Sequence, residues 1–121
     1  MFEEFDYIEM KVVPKFKPLE KVFKIYENGL CECNYKNFSK GIANEIFSKT
    51  YTLSKNDFKD VLNVCENIIY GEKTDAKKLI LVEGHNIKVT IKLKTGEELC
   101  NEKHQNDIQG YPIIRNIFNL H

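Results

Sequence analysis

The sequence contains four cysteines, and their spacing indicates whether they can bind a metal or form disulfides. Cys31 and Cys33 are separated by one residue, whereas paired zinc ligands usually have about two to four residues between them. Residues two apart on a strand have Cα atoms about 6.5 Å apart, which disfavours a disulfide between them. Cys65 and Cys100 fall on other predicted elements, so the four thiols are not expected to converge. We therefore expect reduced cysteines, no metal and no cofactor.

A group of polar residues is expected at one end of the predicted sheet. The register of the last predicted hairpin places His104 opposite Asn86, with His85 beside this pair and with Glu83 and Asp107 close in sequence. Imidazole and carboxylate groups gathered in this way can bind a metal or transfer protons. The alternative is a polar turn beside a polar loop, which we prefer because no recognised motif surrounds these residues. A small metal-dependent or acid–base enzyme using His85 and His104 is therefore the alternative functional hypothesis.

The charged residues argue against a polyanion or a membrane as partner. Basic and acidic side chains number 18 each, so the formal net charge is +0 and no long-range field attracts a polyanion. A row of lysines on the outer sheet face is expected to be neutralised by glutamates across the strand pair. These residues are Lys88, Lys92, Lys94, Glu98 and Glu102. No stretch approaches the roughly 18 consecutive apolar residues of a membrane span, so we expect neither nucleic acid nor membrane.

Length and composition predict one domain over residues 1–121. Hydrophobic residues make up 42% of the chain, which is typical of a globular protein with a single core. The first ten residues, MFEEFDYIEM, have neither the basic start nor the apolar run of a secretory signal. Lysine, asparagine and isoleucine are abundant, as in proteins of AT-rich genomes. We therefore expect a bacterial protein of the cytoplasm.

The elements that position these residues follow from hydrophobic alternation and from glycine turns. A three-residue loop ending in Gly29 sets Ile25 opposite Cys31 and keeps the apolar face free of polar side chains. A two-residue turn at Asn28-Gly29 would instead place Glu32 opposite Ile25. The predicted strands are 4–13, 20–27, 30–36, 45–53, 79–82, 87–93 and 97–103.

Two amphipathic helices are expected to cover one face of this sheet. Ser54 predicts the N-cap of the first helix, whose apolar side chains recur at helical spacing until Gly71. Pro112 predicts the start of the second helix. The expected fold class is α+β, with two layers and an antiparallel sheet of about six to seven strands. Lys21–Tyr70 and Lys78–His121 share an order of elements, which either a duplicated βββα unit or convergence on a simple packing explains.

Apolar side chains on the uncovered sheet face predict a binding surface. Val22, Tyr26 and Leu30 project from that face, and the wholly apolar run around Ile80 and Val82 is expected to extend it. We expect a non-enzymatic binding or interaction protein, such as a partner-binding or immunity-type module. Another protein or a second copy of the chain, forming a homodimer, is the expected partner. The alternative is that the N-terminal segment of this chain folds over the same surface.

Overall fold

Six strands and three helices form the protein in the computed structural model, which describes residues 4–14, 19–37 and 44–120. The strands are β1 (Phe5–Pro14), β2 (Leu19–Tyr26), β3 (Leu30–Asn37), β4 (Asn44–Thr52), β5 (His85–Leu93) and β6 (Glu98–His104). The helices are α1 (Lys55–Tyr70), α2 (Ala76–Leu81) and α3 (Tyr111–Phe118), and a 3₁₀ turn covers Gln105–Asp107. The predicted α+β class with an antiparallel sheet is confirmed.

The sheet is antiparallel throughout, with the strand order β4-β3-β2-β1-β5-β6. The first four strands follow one another as a meander, and the chain then crosses through α1 to the other side of β1. Alternate residues of β1 are fully buried, namely Ile8, Met10 and Val12. Because β1 lies in the middle of the sheet, it does not fold over the outer face. The described part of the N-terminal segment therefore contradicts the alternative in which that segment covers the surface; residues 1–3 and 15–18 lie outside the described ranges.

Both predicted hairpin registers are confirmed. Ile25 lies opposite Cys31 across the first hairpin, and Ile91 lies opposite Leu99 across the second. The first loop closes because Gly29 has a φ of 87°, in the left-handed region that favours glycine, and its N–H donates to the Tyr26 carbonyl at 2.9 Å. Turn chemistry thus sets which side chains face the core.

The inner face of the sheet carries α1 and α3. The Ser54 hydroxyl accepts from the Asp57 N–H at 3.1 Å, which confirms the predicted N-cap of α1. α1 packs against α3, β5 and β6, and the Phe118 ring of α3 lies 4.5 Å from the Phe23 ring of β2. Gly71 ends α1 with a φ of −81° rather than a left-handed one. Glycine fits there because an added Cβ would lie 2.6 Å from the Asn67 carbonyl oxygen. No helix of the described ranges is long and apolar enough to cross a bilayer.

The predicted strand over 79–82 is wrong, because this segment belongs largely to α2. The Asp75 side chain accepts from the Lys77 N–H at 2.8 Å and caps the helix, which then continues through good helix formers. A short apolar run does not distinguish a buried strand from a helix. The second half of the chain therefore has two strands, β5 and β6, whereas the first half has three, β2, β3 and β4. This order of elements does not match a duplicated βββα unit.

Candidate functional site

His104 of the predicted polar group is fully buried and has both ring nitrogens engaged. Its Nδ1 accepts from the Asn106 N–H at 3.1 Å, and its Nε2 lies 2.8 Å from the Glu83 carbonyl oxygen. A carbonyl only accepts, so the proton lies on Nε2 and the ring is neutral. This imidazole joins β6 to the loop before β5, and both of its nitrogens are engaged within the protein.

The other members of the polar group connect the same elements. Asp107 accepts from the Thr74 hydroxyl at 2.9 Å and from the Lys78 ammonium. Both hydrogen bonds lower the pKa of the Asp107 carboxyl, and the bond from Lys78 has the larger effect. The Asn86 amide donates to the Leu79 carbonyl at 2.6 Å. The structure therefore brings the predicted residues together. Their hydrogen bonds connect α2 to the ends of β5 and β6.

His85 is the partly exposed histidine of this group. Its backbone N–H donates to the Gln105 side-chain oxygen at 2.7 Å, and its Nδ1 lies 3.0 Å from the Tyr111 hydroxyl. The side chain of Gln105 therefore lies directly beside His85. Within the described ranges, no group of three or more histidine, cysteine, aspartate or glutamate side chains is arranged to hold a metal ion.

The predicted outer-face residues do not form one apolar strip. Tyr26 lies opposite Tyr7, next to Leu30, whereas Val22 lies two rows farther along the strands. The row between them includes the charged side chains of Glu9, Lys24 and Glu32. The Lys24 ammonium lies 4.3 Å from the centre of the Tyr7 ring and 5.6 Å from that of Tyr26. This face is therefore a mixed surface of aromatic, aliphatic and charged side chains.

Ile80 and Val82 lie away from the sheet rows, contrary to prediction. Asn86 and His104 point to the outer face, and they bond to backbone carbonyls of Leu79 and Glu83. The α2 segment consequently covers this corner of the outer face. Ile80 is 67% exposed on α2, and Val82 is the partly buried residue that ends the helix.

A hollow lies at the opposite end of the outer face, beside the first hairpin. It measures about 490 Å³ and is lined by Asp6, Tyr26, Glu27, Asn28, Leu30 and Glu32. Two of the predicted interface residues form its apolar floor, and three carboxylates surround them. The Lys94 ammonium lies 2.8 Å from the Glu27 carboxylate.

A cleft on the inner face was missed by sequence reasoning. Six strands span about 24 Å between their outer axes, whereas two helices cover about 20 Å. Because α1 packs over β5 and β6, the inner face near β4 extends beyond the helices. The resulting cleft of about 180 Å³ is lined by Phe23, Cys33, Tyr35, Lys49, Tyr51, Ile117, Phe118 and Asn119. The available signal was the alternation of Lys49 and Tyr51 on the side of β4 that also faces Cys31 and Cys33.

Aromatic rings and lysines, rather than nucleophiles, characterise this cleft. The Lys49 ammonium lies 5.2 Å from the centre of the Tyr51 ring, and the Lys21 ammonium lies 4.9 Å from that of Tyr35. Burial raises the pKa of Cys33, although a hydrogen bond with Tyr35 opposes the shift. The Cys33 thiol therefore stays protonated at neutral pH and is a poor nucleophile.

Comparison with protein-family models, curated proteins and solved structures finds no match to this chain.

Proposed function

We propose that this chain is a non-enzymatic interaction protein of the bacterial cytoplasm and that its outer sheet face is its binding surface. The supporting observation is that, within the described ranges, α2 covers only one corner of this face. The side chains of Tyr7, Val22, Tyr26 and Leu30 are partly exposed on the remainder. Aromatic and aliphatic groups among charged ones are typical of interfaces between proteins that also exist separately.

The proposed occupant of the outer face is a second copy of the chain. The whole face, including the corner covered by α2, measures about 24 Å across the strands and about 27 Å along them, or about 650 Å² in projection. This area is of the same order as the roughly 800 Å² that each partner contributes to a standard interface. Charges of both signs lie on it. Asp6, Glu27 and Glu32 surround the hollow at one end, where Lys94 pairs with Glu27. The neighbouring lysines Lys11 and Lys88 lie toward the other end, where Lys11 pairs with Glu20 at 3.7 Å and Glu102 lies opposite Lys88. A two-fold arrangement can therefore oppose unlike charges.

The chemistry of the buried groups supports a binding role rather than a catalytic one. His104 has both ring nitrogens engaged within the protein. The cysteines are free thiols, which is typical of proteins in a reducing compartment such as the cytoplasm. These observations favour the interaction hypothesis over the acid–base enzyme that the two histidines suggested.

Light scattering across micromolar to millimolar protein concentrations tests the proposal. We expect a dimer that Tyr26→Glu converts to a monomer, because the substitution places a carboxylate beside other carboxylates within the buried interface. Tyr70→Glu is the matched control, since Tyr70 is an exposed tyrosine at the end of α1. Circular dichroism should show that both variants are folded. A wild-type monomer, or equal dissociation by both substitutions, would overturn the proposal.

A further inference from the structure

β4 forms one edge of the sheet, and its outward backbone groups can be identified. The Leu53 N–H donates to the Gly29 carbonyl at 2.9 Å, so residues 53 and 29 form a hydrogen-bonded pair. Such pairs alternate along an antiparallel ladder. The N–H and C=O groups of Ser48, Thr50 and Thr52 therefore point away from β3. All three residues are exposed, and no strand of the described ranges lies on this side of β4.

The opposite edge of the sheet shows how an edge is closed in this protein. The same alternation in the last hairpin directs the N–H groups of Glu102 and His104 outward from β6. The Glu102 N–H donates to the Asn101 side chain at 2.9 Å, and the His104 N–H donates to the Thr74 hydroxyl at 3.1 Å. Two of the four outward N–H groups of β6, those of Glu102 and His104, are thus occupied. Within the described residues, the outward N–H groups of Ser48, Thr50 and Thr52 on β4 have no corresponding bond. An open edge is a template for a further strand.

The inner-face cleft lies beside this open edge and supplies side-chain recognition. Facing residues of antiparallel strands share one side of a sheet. A strand added to β4 would therefore point the residues opposite Lys49 and Tyr51 toward the cleft. The cleft offers the rings of Phe118 and Tyr51 to an apolar side chain. Lys21 and Lys49 place two positive charges beside it, which favours acidic neighbours of that side chain.

We propose that the β4 edge binds an extended segment of a partner protein as a seventh strand. The segment places an aromatic or large aliphatic side chain in the cleft between β4 and α3, flanked on the same side by acidic residues. Backbone hydrogen bonds supply affinity, and the cleft with its lysines supplies specificity. This site shares no residue with the outer-face dimer interface, so either can fail while the other holds.

The probe is the capped peptide Ac-Thr-Glu-Val-Phe-Val-Glu-Thr-NH2, whose alternation directs phenylalanine and both glutamates to one side. Titration calorimetry with the full chain should show saturable binding. Replacing the peptide's phenylalanine with alanine, or its glutamates with lysines, should weaken binding by about tenfold or more. Lys49→Glu should remove most of the preference of the chain for the acidic over the basic peptide, because the new carboxylate offsets the charge of Lys21. Equal affinity of the full chain for these peptides, or no binding of the probe, would overturn the proposal.

Thr50→Pro tests the backbone pairing itself. Proline removes an outward N–H at a residue whose own N–H does not bond β3, and edge strands tolerate it. We expect peptide binding to fall by about tenfold or more, while Thr50→Val retains it. If circular dichroism shows that Thr50→Pro is misfolded, a peptide methylated at its backbone nitrogens replaces it and should not bind. Unchanged binding in either arm overturns the proposal. The proposal is also overturned if the wild-type protein is a dimer that Thr50→Pro dissociates and Tyr26→Glu does not. In that case the β4 edge would pair two copies of this chain.

Discussion

Burial decides the chemistry of three of the four thiols. Cys31, Cys33 and Cys65 are completely buried, whereas Cys100 is exposed on β6, where its sulfur accepts from the Thr90 hydroxyl at 3.5 Å. Burial raises the pKa of Cys31 to about 11 and that of Cys65 to about 12. Because only the thiolate attacks a disulfide reagent, the buried cysteines are protected by protonation as well as by access.

We predict that one thiol reacts in the native protein at pH 8 and that four react after denaturation. Titration with an aromatic disulfide reagent measures both counts. The native reaction should belong to Cys100, so Cys100→Ser should show none in the native state and three in denaturant. Rapid reaction of a second native thiol would contradict the registers that place Cys31 and Cys33 in the core.

The apolar side chains of α1 differ in how deeply they are buried. Val61, Val64, Cys65 and Ile68 are buried, whereas Leu62 is only partly buried at the side of the stripe. Helical periodicity places Leu62 near the centre of the stripe. The most deeply buried part of the stripe lies elsewhere in the structure, because α1 packs against α3 as well as against β5 and β6.

We predict that Ile68→Ala destabilises the protein more than Leu62→Ala. Truncating a large buried aliphatic side chain costs about 2–5 kcal/mol, since it leaves a cavity as well as losing apolar burial. Leu62 already contacts solvent, so its truncation leaves a smaller cavity and should cost less. Urea denaturation of both variants measures the two free energies of unfolding. Equal or reversed losses would show that the packing of α1 on the sheet differs from this structure.

The molecule as a whole is organised around β1. This strand pairs with β2 on one side and with β5, more than 70 residues later in the chain, on the other. Among the described residues, β4 pairs with β3 and with no other strand. Backbone groups in a buried central strand are released only when most of the protein unfolds, whereas edge groups open locally.

We predict that amide hydrogen exchange is slowest in β1 and fast at the open edge of β4. The Met10 amide should exchange at the rate of global unfolding. Within β4, the outward amide of Thr50 should exchange much faster than the Tyr51 amide, which lies in a hydrogen-bonded pair with β3. NMR exchange measurements resolve these individual amides. Comparable protection of Thr50 and Met10 would indicate that a further strand already covers the β4 edge.

The sequence by itself determined the elements whose causes are local. The position of Gly29 fixed the register that buries Cys31 and Cys33, because turn geometry and a two-residue period leave one arrangement with a dry core. The cap at Ser54 and helical periodicity determined α1 for the same reason. The register of the second hairpin placed His104 opposite Asn86. The burial and the hydrogen-bond partners of these two side chains could not be predicted from that register.

Only the tertiary structure decided what lies on each surface. The central position of β1 depends on its pairing with β5, which is remote in sequence. The helical state of Leu79–Leu81 depends on anchoring by Asn86 and Asp107, since no residue of α2 is buried. The cleft near β4 exists because two helices are narrower than six strands. Each of these results from the packing of distant segments, which local patterns of residues do not encode.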